Sequence, residues 1–374
     1  MRITSVSSRL IGVDARPQYG GREPGPGEPR QWDYLVTTVS TDEGIDGHSM
    51  MWGLNGEARG LGHLLRDVFS ATLIGADPTA VEARWQELRD KTRSTYPLSD
   101  SLVCLLDVAF WDILGKATGR PIVDLLGRYR DEIPAYASPS AFDSLTVEGT
   151  IAEAMAVKAA GFRGYKLWSV LGPKDDIPRL RAAREAVGPD FPLMADAGGL
   201  YRYVEAIEVG HVLDDLNYRW FEEPIPDYHI PVLRRLADEL RTPILAGEKT
   251  TPLGYLPEYV RQNAVDIVRG DVLMKAGIAG MRKLAILSEL HGYDLEIHGT
   301  LTPLLDIANL HVSGAIRNSQ FAEVFWEPYY RFGLKGSPLV PDADGMLKVP
   351  TAPGLGVDLD WDWLDDHTLE TFAS

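Results

Sequence analysis

The stretch YRWFEEP (218–224) is one of seven short, largely apolar runs that carry a charged or imidazole side chain at or near their ends. The others are GYKLW (164–168), FPLMADAG (191–198), TPILAGE (242–248), VDIVRGD (265–271), DLEIHG (294–299) and FAEVFWE (321–327). Each has the length and the aromatic and β-branched content of a buried strand. Between them lie amphipathic helical segments such as IPRLRAAREAV, YVEAIEVGHVLDDL and GMRKLAILSELH. Strand-then-helix units in series signal parallel strands with crossover helices. The polar residues that close the runs are Lys166, Asp196, Glu222, Glu248, Asp271, His298 and Glu323, spaced by 30, 26, 26, 23, 27 and 25 positions. Units of such even length predict an α/β fold, a (β/α)8 TIM-type barrel rather than an open sheet. The C-terminal strand ends of such a barrel converge on one face, where active sites lie.

Upstream of about Ile133 the texture differs. ITSVSSRLIGV and WDYLVTTVSTDEG read as strands, and helical periodicity runs from about Glu57 to Leu126. DARPQYGGREPGPGEPR (14–30) reads as a long loop, and GHSMMWGLNGEARG (47–60) as a second one. The 374 residues carry a net charge of −17, which argues against nucleic acid or an anionic membrane as partner. The single cysteine, Cys104, lies in the apolar run LVCLLDVAF, which predicts buried packing and a reducing compartment. MRITSVSSRLIGVDA has no signal-peptide core and no run is long enough to span a bilayer, so a cytoplasmic location is expected.

Asp196, Glu222 and Glu248 fall on three adjacent strands, so their carboxylates meet at the mouth. Such a trio repels unless it shares protons or a cation, and its oxygen donors suit Mg²⁺ before Mn²⁺. Separate salt bridges to Lys166, Lys249 or Lys275 are the plainer alternative. Asp271 and His298 end the next two strands, where a carboxylate beside an imidazole orients the ring and raises its basicity. Lys166 raises its own question, because an ammonium in a buried strand needs a negative partner.

These motifs together resemble the enolase superfamily, specifically its mandelate racemase-like subgroup within the mandelate racemase/muconate lactonizing enzyme family. The resemblance is carried by KLW with Lys166 and Trp168, DAG with Asp196, FEEP from Phe221, Gly247–Glu248, and Asp271 opening DVLMKAGIAG. His298, Glu323 and the segment LDVAFWDILGKATGRPIVDLLG complete it. It implies an α+β capping domain over residues 1–130, a modified barrel over 131–330, and a segment 331–374 returning to the cap. It also implies one Mg²⁺ held by Asp196, Glu222 and Glu248, with His298, held by Asp271, as the base that removes a proton alpha to a carboxylate. Lys166 would face the substrate carboxylate, and Glu323, if protonated, would hydrogen-bond the developing oxyanion, with Glu327 as the competing choice. Homo-oligomeric assembly is a further expectation.

Two departures shape the functional reading. The family's racemases carry K-x-K on the second strand, and here the second position is Trp168, which accepts no proton. Gly198 replaces a frequent asparagine, and Lys275 keeps open a lysine base of the muconate lactonizing type. A base on one face only favours dehydration of a hydroxy acid, an acid sugar above all, to a 2-keto-3-deoxy acid. A racemase or epimerase and a catalytically silent acid-sugar binder are the alternatives. Arg22, Arg30, Met50, Trp52 and Trp168 are the expected contacts to the far end of the substrate.

Overall fold

The computed structural model describes residues 1–374 apart from 20–22, 26–27, 54–55, 95–99, 140–144, 252, 327–329, 337 and 374, and apart from the side chains of 18–19 and 93–94. Three N-terminal strands, β1 (Ile3–Asp14), β2 (Gln31–Thr41) and β3 (Gly47–Gly53), pair as an antiparallel meander. Val6, Ser8 and Leu10 of β1 are buried at the period of two that a half-covered sheet requires. The expectation of a loop at 47–60 is therefore corrected: 47–53 is strand and Glu57–Leu64 is helix. Gly47 answers a packing need, since a Cβ there would stand 2.0 Å from the Ala109 carbonyl. Within 14–30, Asp14 still belongs to β1 and Arg16–Tyr19 forms a 3-10 turn.

Eight short parallel strands follow: β4 (Glu132–Ser138), β5 (Tyr165–Trp168), β6 (Leu193–Asp196), β7 (Phe221–Glu222), β8 (Ile244–Ala246), β9 (Ile267–Gly270), β10 (Asp294–Ile297) and β11 (Ala322–Phe325). Each pairs with the next and β11 closes onto β4, so the sheet is a barrel. Their runs are apolar without alternation because both faces are covered, by helices outside and by side chains within. β12 (Met346–Lys348) adds antiparallel to β4, and the last strand, β13 (Thr368–Ala373), pairs with β1 at the edge of the first sheet.

The helix Asp100–Thr118 joins the two layers and is buried along most of its length, as its largely apolar composition demands. Cys104 lies inside it, buried and free, and burial raises its thiol pKa well above the ordinary value. Two buried acids stitch this helix to its surroundings. Asp112 accepts from the Leu355 N–H at 2.9 Å, the His48 N–H at 3.0 Å and the Lys116 ammonium at 2.7 Å. Asp107 accepts from the Ala279 N–H at 3.1 Å, at the start of the barrel helix Gly277–Leu290. Gly277, at φ 88°, sits where a Cβ would meet Asp107 Oδ2 at 2.3 Å, so only glycine permits this approach.

Candidate active site

The seven residues that close the strand runs come together at one end of the barrel, at two depths. Lys166 and Glu323 are each the second residue of a four-residue strand, so they lie inside the barrel rather than at its rim. Asp271 and His298 stand one residue past β9 and β10, and Glu248 two past β8. Lys166 does not fray into water: it is 2% exposed. Its ammonium lies 2.7 Å from Glu323 Oε1 and 3.2 Å from both Asp196 Oδ2 and Glu222 Oε1. Burial works against that charge, but Glu222, Glu323 and Asp196 outweigh it and hold the lysine pKa well above its ordinary value.

A second cation, which the sequence reading did not single out, lies in the same layer. Arg269 is fully buried, with Nη2 at 2.9 Å from Glu222 Oε1 and 2.7 Å from Glu323 Oε2, and Nε at 3.5 Å from Glu248 Oε2. A signal was available: Arg269 interrupts the apolar run VDIVRGD two residues before Asp271, and so shares the inward face of its strand. Between them Lys166 and Arg269 alter the expected part of Glu323. Its Oε2 also accepts from the Gly299 N–H at 2.8 Å. Burial opposes its ionisation, yet Lys166, Arg269 and His298 hold its pKa well below the usual range. As it stands Glu323 accepts from Lys166, Arg269 and the Gly299 N–H, the cations favouring its carboxylate form. Glu327 lies outside the described residues.

His298 Nδ1 stands 2.8 Å from Asp271 Oδ2, and Asp271 Oδ1 accepts from the Met274 N–H at 2.7 Å. The carboxylate is thus fixed from its own chain and the ring from the carboxylate. His298 Nε2 points toward the carboxylate cluster, 3.7 Å from Glu248 Oε2, and the side chain is 25% exposed. Burial depresses the imidazole pKa, but Glu248 and the Asp271 hydrogen bond outweigh it and raise it to about 9. Reciprocally, burial opposes ionisation of Glu248 while His298 and Arg269 pull its pKa down. Glu222 is raised, chiefly by burial. Next to it Glu223, at φ 38° and ion-paired with Lys249, is raised by burial and then by Glu248.

Asp196, Glu222 and Glu248 offer oxygen donors only, and Glu248 Oε2 is buried without a hydrogen-bond partner. Among the described residues, the carboxyls of Asp196, Glu222, Glu223, Glu248, Asp271 and Glu323 are ion-paired with Lys166, Lys249, Arg269 and His298, an excess of acid that suits a divalent cation. By donor type and charge the trio fits Mg²⁺. Among the described residues, no three acids, imidazoles or thiols close on one point as they stand. Lys166 and Arg269 engage the carboxylates instead.

Lys275 is no base. Its buried ammonium donates to the carbonyls of Gly247, Glu248 and Thr250 at 2.8, 2.7 and 2.8 Å, which spends all three hydrogens on the loop carrying Glu248. Of the expected distal contacts, Met50 is fully buried in the cap core and cannot line the mouth. Arg30 is exposed at the entry to β2, and Arg22 lies outside the described residues. Trp52 is part-buried and stacks on Trp32, with centroids 5.3 Å apart, and Tyr330 meets the edge of Trp32 at 6.2 Å. Tyr34 Oη, from the cap, donates to the Leu301 carbonyl at 3.4 Å, three residues beyond His298. Trp168 ends β5 opposite Asp196 in register, and its carbonyl accepts from the buried Arg179 at 2.8 Å.

The enolase C-terminal domain-like family model matches residues 150–363, and the mandelate racemase/muconate lactonizing enzyme N-terminal domain matches 28–127. The chain belongs to the mandelate racemase/muconate lactonizing enzyme family. Within the enolase superfamily it falls in the mandelate racemase-like subgroup. It is 30% identical over 332 residues to an arabinonate dehydratase of Saccharolobus solfataricus, covering 87% of each chain. A D-galactarolactone cycloisomerase of Agrobacterium fabrum is 29% identical over 350 residues, covering 90% of this chain and 91% of its own. Among solved structures, D-glucarate dehydratase from Agrobacterium tumefaciens complexed with magnesium superposes with a TM-score of 0.88 at 31% identity, covering 99% of this family member and 100% of that chain. No described helix of this family member is long and apolar enough to cross a membrane.

Proposed function

We propose that this protein is a magnesium-dependent dehydratase of an acid sugar. Relatives that match 87–90% of the chain are named as dehydratases of arabinonate, D-mannonate and L-talarate/galactarate, which supports acid-sugar dehydration as the reaction class. The observation that carries the finer reading is the one-sided base: His298, oriented by Asp271, faces the carboxylate cluster, while Trp168 occupies the position of a second base. Asp196, Glu222 and Glu248 would hold the ion, which supplies Lewis-acid stabilisation of the charge that develops on the substrate carboxylate.

The chain's own groups then divide the work. Lys166, paired with Glu323, Asp196 and Glu222, would meet the substrate carboxylate with a charge that these acids sustain. His298 in its neutral form takes the alpha proton at Nε2 while Asp271 stabilises the imidazolium from Nδ1. The same imidazolium returns that proton to the departing beta-hydroxyl on the same face, a syn elimination that breaks C–H and C–O and releases water. The enol that remains tautomerises to the 2-keto-3-deoxy acid. Trp168, which accepts no proton, would leave the opposite face without a second base, and this would separate the outcome from racemisation.

The test is a panel of D-arabinonate, D-mannonate, D-galactonate, D-glucarate and galactarate with added Mg²⁺, assayed for keto-acid formation. The expected result is keto acid from at least one member, reduced at least about 100-fold in His298→Asn. Inversion at the alpha carbon without keto acid would show an epimerase instead. Full proton exchange in His298→Asn would remove histidine from the role of base.

A further inference from the structure

The two members of the Asp271–His298 pair lie just beyond the end of the ladder that joins their strands. Ile297 pairs with Gly270, and among the described residues the last backbone rung is the His298 N–H donating to the Gly270 carbonyl at 2.9 Å. Past this rung the Val272 N–H and the His298 carbonyl have lost their partners in the sheet. Asn309, in the helix Pro303–Ala315, takes both. Its Oδ1 accepts from the Val272 N–H at 3.0 Å and its Nδ2 donates to the His298 carbonyl at 3.0 Å. The side chain is 5% exposed, and the Asn309 carbonyl accepts from Ser313 Oγ at 3.0 Å, so the amide has a firm seat.

We propose that Asn309 is the positioning residue of the Asp271–His298 pair, a side-chain rung that extends the β9–β10 ladder by one step. It touches neither substrate nor reacting atoms and acts through two backbones. Other contacts pin the His298 loop to its surroundings: the Gly299 N–H donates to Glu323 at 2.8 Å, and the Thr300 N–H to Asp306 Oδ1 at 2.7 Å. Glu323 also reaches the Asp271 strand, through the Arg269 side chain at 2.7 Å, whereas the Asn309 amide bonds the backbone of both segments. The complementarity is specific to a carboxamide, which alone combines a fixed donor and a fixed acceptor at this length. An apolar residue of equal size would strand a buried N–H and a buried C=O, and their need for water would part the strand ends. An ionised Asp would keep the bond to Val272 and repel the His298 carbonyl. Proton transfer is sensitive to such shifts, since a displacement of about 1 Å costs on the order of 100-fold in rate.

This inference rests on His298 being the base, so its test uses a signal that needs no substrate. The hydrogen-bonded Nδ1–H of His298 is observed by low-field proton NMR on the full chain and assigned by its loss in His298→Asn. Asn309→Asp and Asn309→Leu are expected to shift or abolish that resonance while melting cooperatively, and Asn309→Gln to restore it in part. An unchanged resonance in a folded Asn309→Asp overturns the positioning role, and that variant decides the matter if Asn309→Leu does not fold. Retained alpha-proton exchange in His298→Asn would instead remove the base assignment, and the resonance would still report whether Asn309 sets the pair.

Discussion

In the proposed mechanism, Trp168 is the side chain on which the choice between two reactions would turn. It is in register with Asp196, and its carbonyl is held by Arg179, which also pairs with the fully buried Asp176 at 2.8 Å. The indole therefore sits on a rigid strand end, and replacing it changes a wall rather than a hinge. Trp168→Lys would create K-x-K, and it is expected to yield substrate inverted at the alpha carbon in D₂O, which the unaltered protein does not. Dehydration without inversion in that variant would show that position 168 does not face the reacting carbon. Lys166 and His298 were legible as single residues because each ends or interrupts an apolar run at barrel spacing. The partners that set their charge state were not. Arg269 sits on another strand, and only closure of the barrel brings it within 2.7 Å of Glu323.

At the scale of elements, the loop after β8 and the helix Asp100–Thr118 show what buried ionisable groups do outside the chemistry. Lys275 gathers three carbonyls of the loop that carries Glu248. Lys275→Met is expected to cost roughly 3 kcal/mol of stability, read by denaturant melts, because those carbonyls lose their donor inside the protein. Were Lys275 a base, the loss would fall on proton exchange with stability intact. Asp107 makes a pH prediction. Burial raises its pKa from 3.8 to about 7, so the folded protein binds this proton more tightly than the unfolded chain does. Its contribution is complete below the ordinary carboxylate value and is lost as pH rises through about 7. Asp107→Asn should flatten the fall in Tm between about pH 4 and pH 7, and leave the variant at least about 1 kcal/mol more stable at the upper end. An unchanged slope would show that Asp107 is ionised throughout. The loop expected at 47–60 failed at this scale, because a glycine demanded by helix contact and one demanded by a turn look the same in sequence.

For the whole molecule, the acid-rich mouth links cation binding to folding. Mg²⁺ at about 100 times its dissociation constant would stabilise the fold by about 2.7 kcal/mol if only the native state binds it. Thermal melts with Mg²⁺ against chelator should show that gain, and Asp196→Asn should diminish it. Equal melts would argue against the trio as a metal site. The same scale separates what was legible from what was not. By itself, the sequence determined the parallel barrel, its eight-fold character and the residues at its mouth, because strand-helix alternation and unit length are local and repetitive. It also carried the strand character of the N-terminal runs. Only the tertiary structure decided how those residues are charged and held. Arg269 beneath Glu222 and Glu323, Asn309 bridging two strand ends, and Tyr34 reaching the Leu301 carbonyl are contacts between residues 11 to 267 positions apart. No local pattern encodes them, because each follows from closing the sheet and seating the cap, and the energy of a buried charge depends on every neighbour that closure supplies.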